Sequence, residues 1–191
     1  MYRALTWLAL RENVPLDDAD ALTALAREAE IYFEHTPGEN GVQRVFCQGH
    51  DVTEEIRGLA VSRAVSGVSS VAGVREVFAR AQRKLASEHD VVMDGRDIGT
   101  VVLPDARCKI FLTASVEERA RRRMTERGAD GLRQSLEEIK AEIEQRDLAD
   151  SIRKNSPMKP ASDSVILDTT SLSLSEVIEA VINLARASED I

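Results

Sequence analysis

The sequence predicts an α/β fold with a parallel sheet flanked by helices, and three observations carry that expectation. Short apolar runs suited to buried strands occur at Asp90 to Met93, Lys109 to Ala114 and Ser164 to Thr169. The last two lead into capping boxes, Ser115 with Glu118 and Ser173 with Glu176, and a third box, Ser135 with Glu138, opens another long helix. Strands therefore alternate with helices, the pattern of a parallel sheet covered by helices. With 191 residues, 43% hydrophobic and 30% charged, the chain can bury one good core plus a small insert, but not two large domains.

The elements follow in order. Leu5, Leu8, Ala9 and Leu10 recur at helical spacing from Met1 to about Glu12, with nothing ahead of them to cap the helix. A second helix is expected from Asp17 to Glu28. Ile31-Tyr32-Phe33, a turn at Pro37 to Gly41, and Val42 to Phe46 then read as a hairpin. Helices resume near Glu54, run through Ser66 and restart after Gly73 as VREVFARAQRKLA. Between them the small residues of AVSRAVSGVSSVAG permit a close approach of backbone or ligand. The stretch Lys154 to Ser162, with Pro157 and Pro160, reads as an ordered loop between helix and strand.

Composition excludes several classes. Lysine and arginine total 25 against 33 acidic residues, a formal charge of -8, which opposes general nucleic-acid binding unless the basic residues cluster. Cys47 and Cys108 show no CxxC spacing, and His35, His50 and His89 form no ligand pattern, so a reduced cytoplasmic protein without a structural metal is expected. No apolar run approaches the roughly 18 residues that span a bilayer, and the first residues lack a signal peptide's features.

The basic residues do cluster. Asp94-Gly95-Arg96-Asp97-Ile98-Gly99-Thr100 follows a predicted strand, where open α/β sheets place their ligands, and reads either as an anion and polar-base site or as a turn with a local ion pair. Arg146, Asp150 and Arg153 fall on one helix face at i, i+4 and i+7, a face able to hold a phosphate and a sugar hydroxyl, or else ordinary solvated decoration beside Glu142, Glu144 and Asp147. Arg119, Arg121, Arg122, Arg123 and Arg127 run into Gly128-Ala129-Asp130-Gly131, with Arg119, Arg123 and Arg127 in one stripe. Without interleaved aromatics this stripe suits a few phosphates better than a long polyanion. Tyr2, Arg3, Ser66 and Arg75 would pass unnoticed on spacing alone.

Taken in order, Met1-Tyr2-Arg3-Ala4, the DVTEEIR string at Asp51 to Arg57, Val74-Arg75-Glu76, the DGRDIGTVV string at Asp94 to Val102, Pro104-Asp105-Ala106, Lys109 to Leu112 and Glu118-Arg119-Ala120 resemble the bacterial cytidylate kinases. The resemblance runs from Met1 to the C-terminal helix. It implies a P-loop nucleoside monophosphate kinase fold that transfers the γ-phosphoryl group of ATP to CMP or dCMP with Mg2+, as a cytoplasmic monomer. The kinase core would comprise residues 1–29 and 58–191, with a lid at about 119–133, and the small β insert of the monophosphate-binding region would be 30–57. By that resemblance Tyr2, Arg3, Arg96 and Arg153 address the monophosphate side. Ser66, Arg75 and Asp97 address the cytosine, with Asp94 alongside in the substrate site, and Arg146 with Asp150 the pentose and neighbouring phosphate. Arg96, Arg146 and Arg153 are the candidate catalytic arginines. Arg119, Arg122, Arg123 and Arg127 belong to the lid over ATP, and no residue is assigned to a metal.

The family's donor site is a P-loop, GxxxxGK[ST], and none of the ten glycines lies in such a string. The resemblance places that loop, and the first strands of the fold, ahead of the segment matching Met1. The chain is therefore expected to lack them, to be marginal or inactive alone, and to flank an empty strand position with the runs at 90–93 and 109–114. The alternative function is a non-catalytic remnant that binds a nucleotide and transfers nothing.

Overall fold

The computed structural model describes residues 1–35, 43–126 and 134–188. The chain folds as two units, Met1–Val91 and Val92–Ile191.

In the first unit, helix α1 (Tyr2–Arg11) buries Ala4, Leu5, Leu8 and Ala9, and no side chain caps its N-terminus, as its sequence predicts. Helix α2 (Ala19–Glu28) is capped by Asp18, whose carboxylate accepts from Asp20 N and Ala21 N. Strands β1 (Ile31–His35), β2 (Gln43–Cys47) and β3 (His50–Asp51) form an antiparallel meander, with Tyr32 opposite Phe46 and Cys47 opposite His50. The predicted turn at 37–41 lies outside the described residues. Gln48 (φ 49°) and Gly49 (φ 72°) make the two-residue connection to β3 in the left-handed conformation that matches strand twist.

After a 3-10 turn at Glu55–Arg57 come α3 (Leu59–Ser70) and α4 (Ala72–Glu88). The run AVSRAVSGVSSVAG is thus nearly all helix, with Val71 alone between the two: its valines at 61, 65 and 68 recur at helical spacing and are buried. One core gathers Leu5, Ala9, Leu22, Ala26, Val68, Val74 and Phe78, and a second gathers Ala4, Leu8, Cys47 and Val52, so α1 joins the helices to the small sheet. Burial pushes the Cys47 thiol up to about 11.

The expected crowding is real at Gly73, on the face where α4 packs on α2. A Cβ there would lie 2.3 Å from Thr23 Oγ1 and 2.6 Å from Thr23 Cγ2. Gly73→Ala is therefore expected to destabilise the protein by about 2 kcal/mol in urea denaturation, with part of the loss recovered by adding Thr23→Ala. Equal stability of Gly73→Ala and the parent chain would contradict that packing.

In the second unit, β4 (Ile110–Thr113) and β5 (Val165–Asp168) pair in parallel, Ile110 opposite Val165 and Thr113 opposite Asp168. Helices α5 (Val116–Glu126) and α6 (Leu136–Ile152) lie between them in sequence, and α7 (Leu174–Ala187) follows β5. Helix α5 packs on α6 through Ala120, Ile139 and Ile143. Capping boxes close at Ser135/Glu138 and Ser173/Glu176, and their serine hydrogen bonds hold both glutamate carboxyls below the usual range. At Ser115 only half of the predicted box forms: Glu118 N donates to Ser115 Oγ, while the Glu118 carboxylate takes Arg122 instead.

Two strand expectations are corrected. Residues 90–93 form no strand, and Val92 is fully exposed: an extended run becomes a strand only by pairing, and none of the described residues supplies it a ladder. Nor are β4 and β5 buried on both faces. Leu112, Val165 and Ile166 are all exposed, because a two-stranded sheet lacks the layers that would cover them. Among the described residues, no helix is long and apolar enough to cross a membrane.

Candidate anion-binding site

The second unit converges its charges on one face of α6. Arg146, Asp147 and Asp150 project together there, with Arg153 at the C-cap. Asp150 is 5% exposed and forms the node: its Oδ1 lies 3.3 Å from Arg153 Nη1, and its Oδ2 lies 3.4 Å from Arg96 Nε and 4.0 Å from Arg146 Nε. Oδ2 is buried and accepts no hydrogen bond among the described residues. The predicted one-face arrangement therefore forms, with Asp150 Oδ2 held by ion pairs to Arg96 and Arg146.

Arg96 reaches this node from the turn after Asp94. Its Nη1 donates to Asp147 Oδ1 at 3.2 Å and to the Met158 sulfur at 2.9 Å. The turn is held by a single π-turn over Ile98–Val102, in which the N–H groups of Val101 and Val102 donate to the Asp97 carbonyl. Asp97 is buried at 6% exposure, while Asp94 is exposed. Arg153 also donates to the carbonyls of Asn155 and Ser156, and Ser156 takes a positive φ of 54° to present its oxygen.

Helix α5 adds Arg119, Arg122 and Arg123. Arg119 Nη2 forms a close ion pair with Asp147, and Arg119 Nε is buried and donates to no described residue. Arg122 is tethered to the end of β5, donating to Thr169 Oγ1 at 3.1 Å and to Thr169 O at 2.6 Å. Together Arg96, Arg119, Arg122, Arg123 and Arg146, with Ile143 and Asp147, line a cavity of about 380 Å³. Five guanidinium groups around one opening offer planar, charged donors of the kind phosphate oxygens accept from. Arg127 lies outside the described residues. No group of three or more His, Cys, Asp or Glu side chains among the described residues could hold a metal ion.

The remaining predicted residues sit in the first unit. Arg75 is 7% exposed, its guanidinium 5.5 Å from the Tyr2 ring centre and donating to Ser69 O. Tyr2 meets Phe78 edge-on at 5.1 Å. Arg3 donates to Ile56 O at 2.7 Å and to Ser62 Oγ at 3.0 Å. Ser66 is half-buried on α3, one turn before Ser69. Sequence reasoning passed over Asp147 as decoration, although its position beside Arg146 and three residues before Asp150 places it at the same helix edge.

With this geometry in hand, the comparisons are decisive: the family model for cytidylate kinase matches residues 1–187. The chain belongs to the cytidylate kinase family. A cytidylate kinase of Enterococcus faecalis is 50% identical over 97% of this chain and 81% of its own length, and one of Bacillus licheniformis is 50% identical over 96% of this chain and 80% of its own. A protein of Synechococcus named bifunctional pantoate ligase/cytidylate kinase is 47% identical over 97% of the chain, which spans only 34% of that relative's length. The resemblance read from the DVTEEIR and DGRDIGTVV strings is thus borne out, and the mixed α/β structure with its parallel pair of strands fits a nucleoside monophosphate kinase-like fold.

Proposed function

We infer that the protein acts as a nucleoside monophosphate kinase that transfers the γ-phosphoryl group of ATP to CMP or dCMP, giving CDP or dCDP. The observation that carries this reading is the Asp150 node: one buried carboxylate ringed by Arg96, Arg146 and Arg153 beside an arginine-lined cavity. Phosphoryl transfer asks little covalent chemistry of the protein and much positioning of charge. In this reading Arg96 and Arg153 hold the acceptor's phosphate, and Arg146 with Asp150 serves the pentose and the phosphoryl group beside it. Tyr2 and Arg3 support the monophosphate side, and Ser66, Arg75 and Asp97 select the base, with Asp94 alongside.

Arg119, Arg122 and Arg123 form the described part of a lid over ATP, reaching about residue 133, which excludes water so that the phosphoryl group goes to the nucleotide. Residues 30–57 act as the insert of the monophosphate-binding region. Mg2+ would enter on the phosphates of ATP, where it would help neutralise their charge.

A second reading is nucleotide binding without transfer, which the arginine-lined cavity would serve equally. Calorimetry with CMP, paired with assay of CDP formed from ATP and CMP, separates the two. Binding with turnover supports the kinase, binding without turnover supports the second reading, and no CMP binding rejects both.

A further inference from the structure

One acidic side chain sits inside the arginine cavity with no part in the reading above. Asp147 spans two arginines from different elements, its Oδ1 3.2 Å from Arg96 Nη1 and its Oδ2 in a close ion pair with Arg119 Nη2. It lines the cavity, whereas Asp150 lies beneath it at 7% side-chain exposure against 23% for Asp147. To a guanidinium, carboxylate and phosphate offer the same chemistry, paired oxygens that accept in its plane. An incoming phosphate group therefore finds Arg96 and Arg119 already holding an anion.

We propose that Asp147 is a positioning residue that serves as the cavity's resident anion: it holds Arg96 and Arg119 as a pair and gives them up when a phosphate group binds. The inference rests on the anion-site reading of this cavity and not on phosphoryl transfer. Without Asp147 the cavity's guanidinium groups would repel one another; with it, the pair stays ordered, at the cost of a competition the ligand must win. Asparagine at this position keeps the shape and one acceptor oxygen but removes the competing charge.

The test is calorimetric titration of the intact chain with inorganic pyrophosphate at fixed ionic strength. Asp147→Asn is expected to bind about tenfold more tightly, since a like charge in contact with the ligand has been removed. Asp147→Glu, which retains the charge, should stay within about twofold of the parent, as should Glu144→Gln, which removes the same charge from an exposed position on α6. Unchanged or weaker binding by Asp147→Asn, or an equal gain in Glu144→Gln, overturns the proposal. In the unsubstituted chain the carbon-13 carboxyl resonance of Asp147 should move as pyrophosphate is added. A stationary resonance with pyrophosphate bound overturns the proposal even if the asparagine variant fails to fold. Failure of every protein to bind pyrophosphate removes the anion-site reading and this inference together, whereas equal binding by all removes this inference alone.

Discussion

Asp150→Ala is expected to lower the stability of the protein by about 2–3 kcal/mol. The carboxylate is 7% exposed and faces Arg96, Arg146 and Arg153 at 3.3 to 4.0 Å, so alanine leaves three guanidinium groups crowded around a small void. A fully buried pair broken on one side costs about 3–5 kcal/mol. The lower figure applies because Arg96 and Arg146 are about one-third exposed and recover some hydration. Thermal unfolding should shift downward by roughly 5–10 °C, while Glu144→Ala, an exposed carboxylate on the same helix, should move it by no more than about 1 °C. A shift of Asp150→Ala no larger than that of the control would remove Asp150 from the centre of the cluster. CMP affinity should fall with it, and Asp150→Asn, which retains an acceptor oxygen, should recover part of both losses.

The second large effect concerns the base. If Asp97 selects cytosine, its carboxylate accepts from the exocyclic N4 amine, and uracil would present a carbonyl to it instead. One acceptor facing another in a buried place is unfavourable. Asp97 is 6% exposed, and its backbone is pinned by the Val101 and Val102 N–H groups donating to its carbonyl. Asp97→Asn supplies an amide that can turn either its oxygen or its nitrogen to the ligand. The ratio of UMP to CMP dissociation constants is therefore expected to fall by about 10- to 100-fold, chiefly through tighter UMP binding. Calorimetry reads that ratio whether or not the chain transfers phosphate, and an unchanged ratio would take Asp97 out of base selection.

Local chemistry made much of this legible. Ser135 and Ser173 read as helix starts because a hydroxyl three residues before a glutamate closes a ring with the backbone regardless of what packs outside it. The one-face arrangement of Arg146, Asp150 and Arg153 follows from helical geometry in the same way. Asp147 was not legible: its role depends on Arg119 and Arg96 arriving from α5 and from the 94–97 turn, and no spacing along α6 announces partners so distant in sequence. Glu118 shows the converse, a capping position whose carboxylate is taken by Arg122 four residues on.

By itself, then, the sequence determined the helix starts at Ser135 and Ser173, the pairing of the runs that became β1 and β2, the charged face of α6 and, through its DVTEEIR and DGRDIGTVV strings, the family. Those properties belong to segments of a few residues, where each group meets its partner within a turn or two of chain. Only the tertiary structure decided which apolar runs become strands, that Asp150 is a buried node, and that Arg96, Arg119 and Arg146 share one cavity with Asp147. A strand exists only in its ladder, and burial and charge neutralisation exist only where separate segments meet.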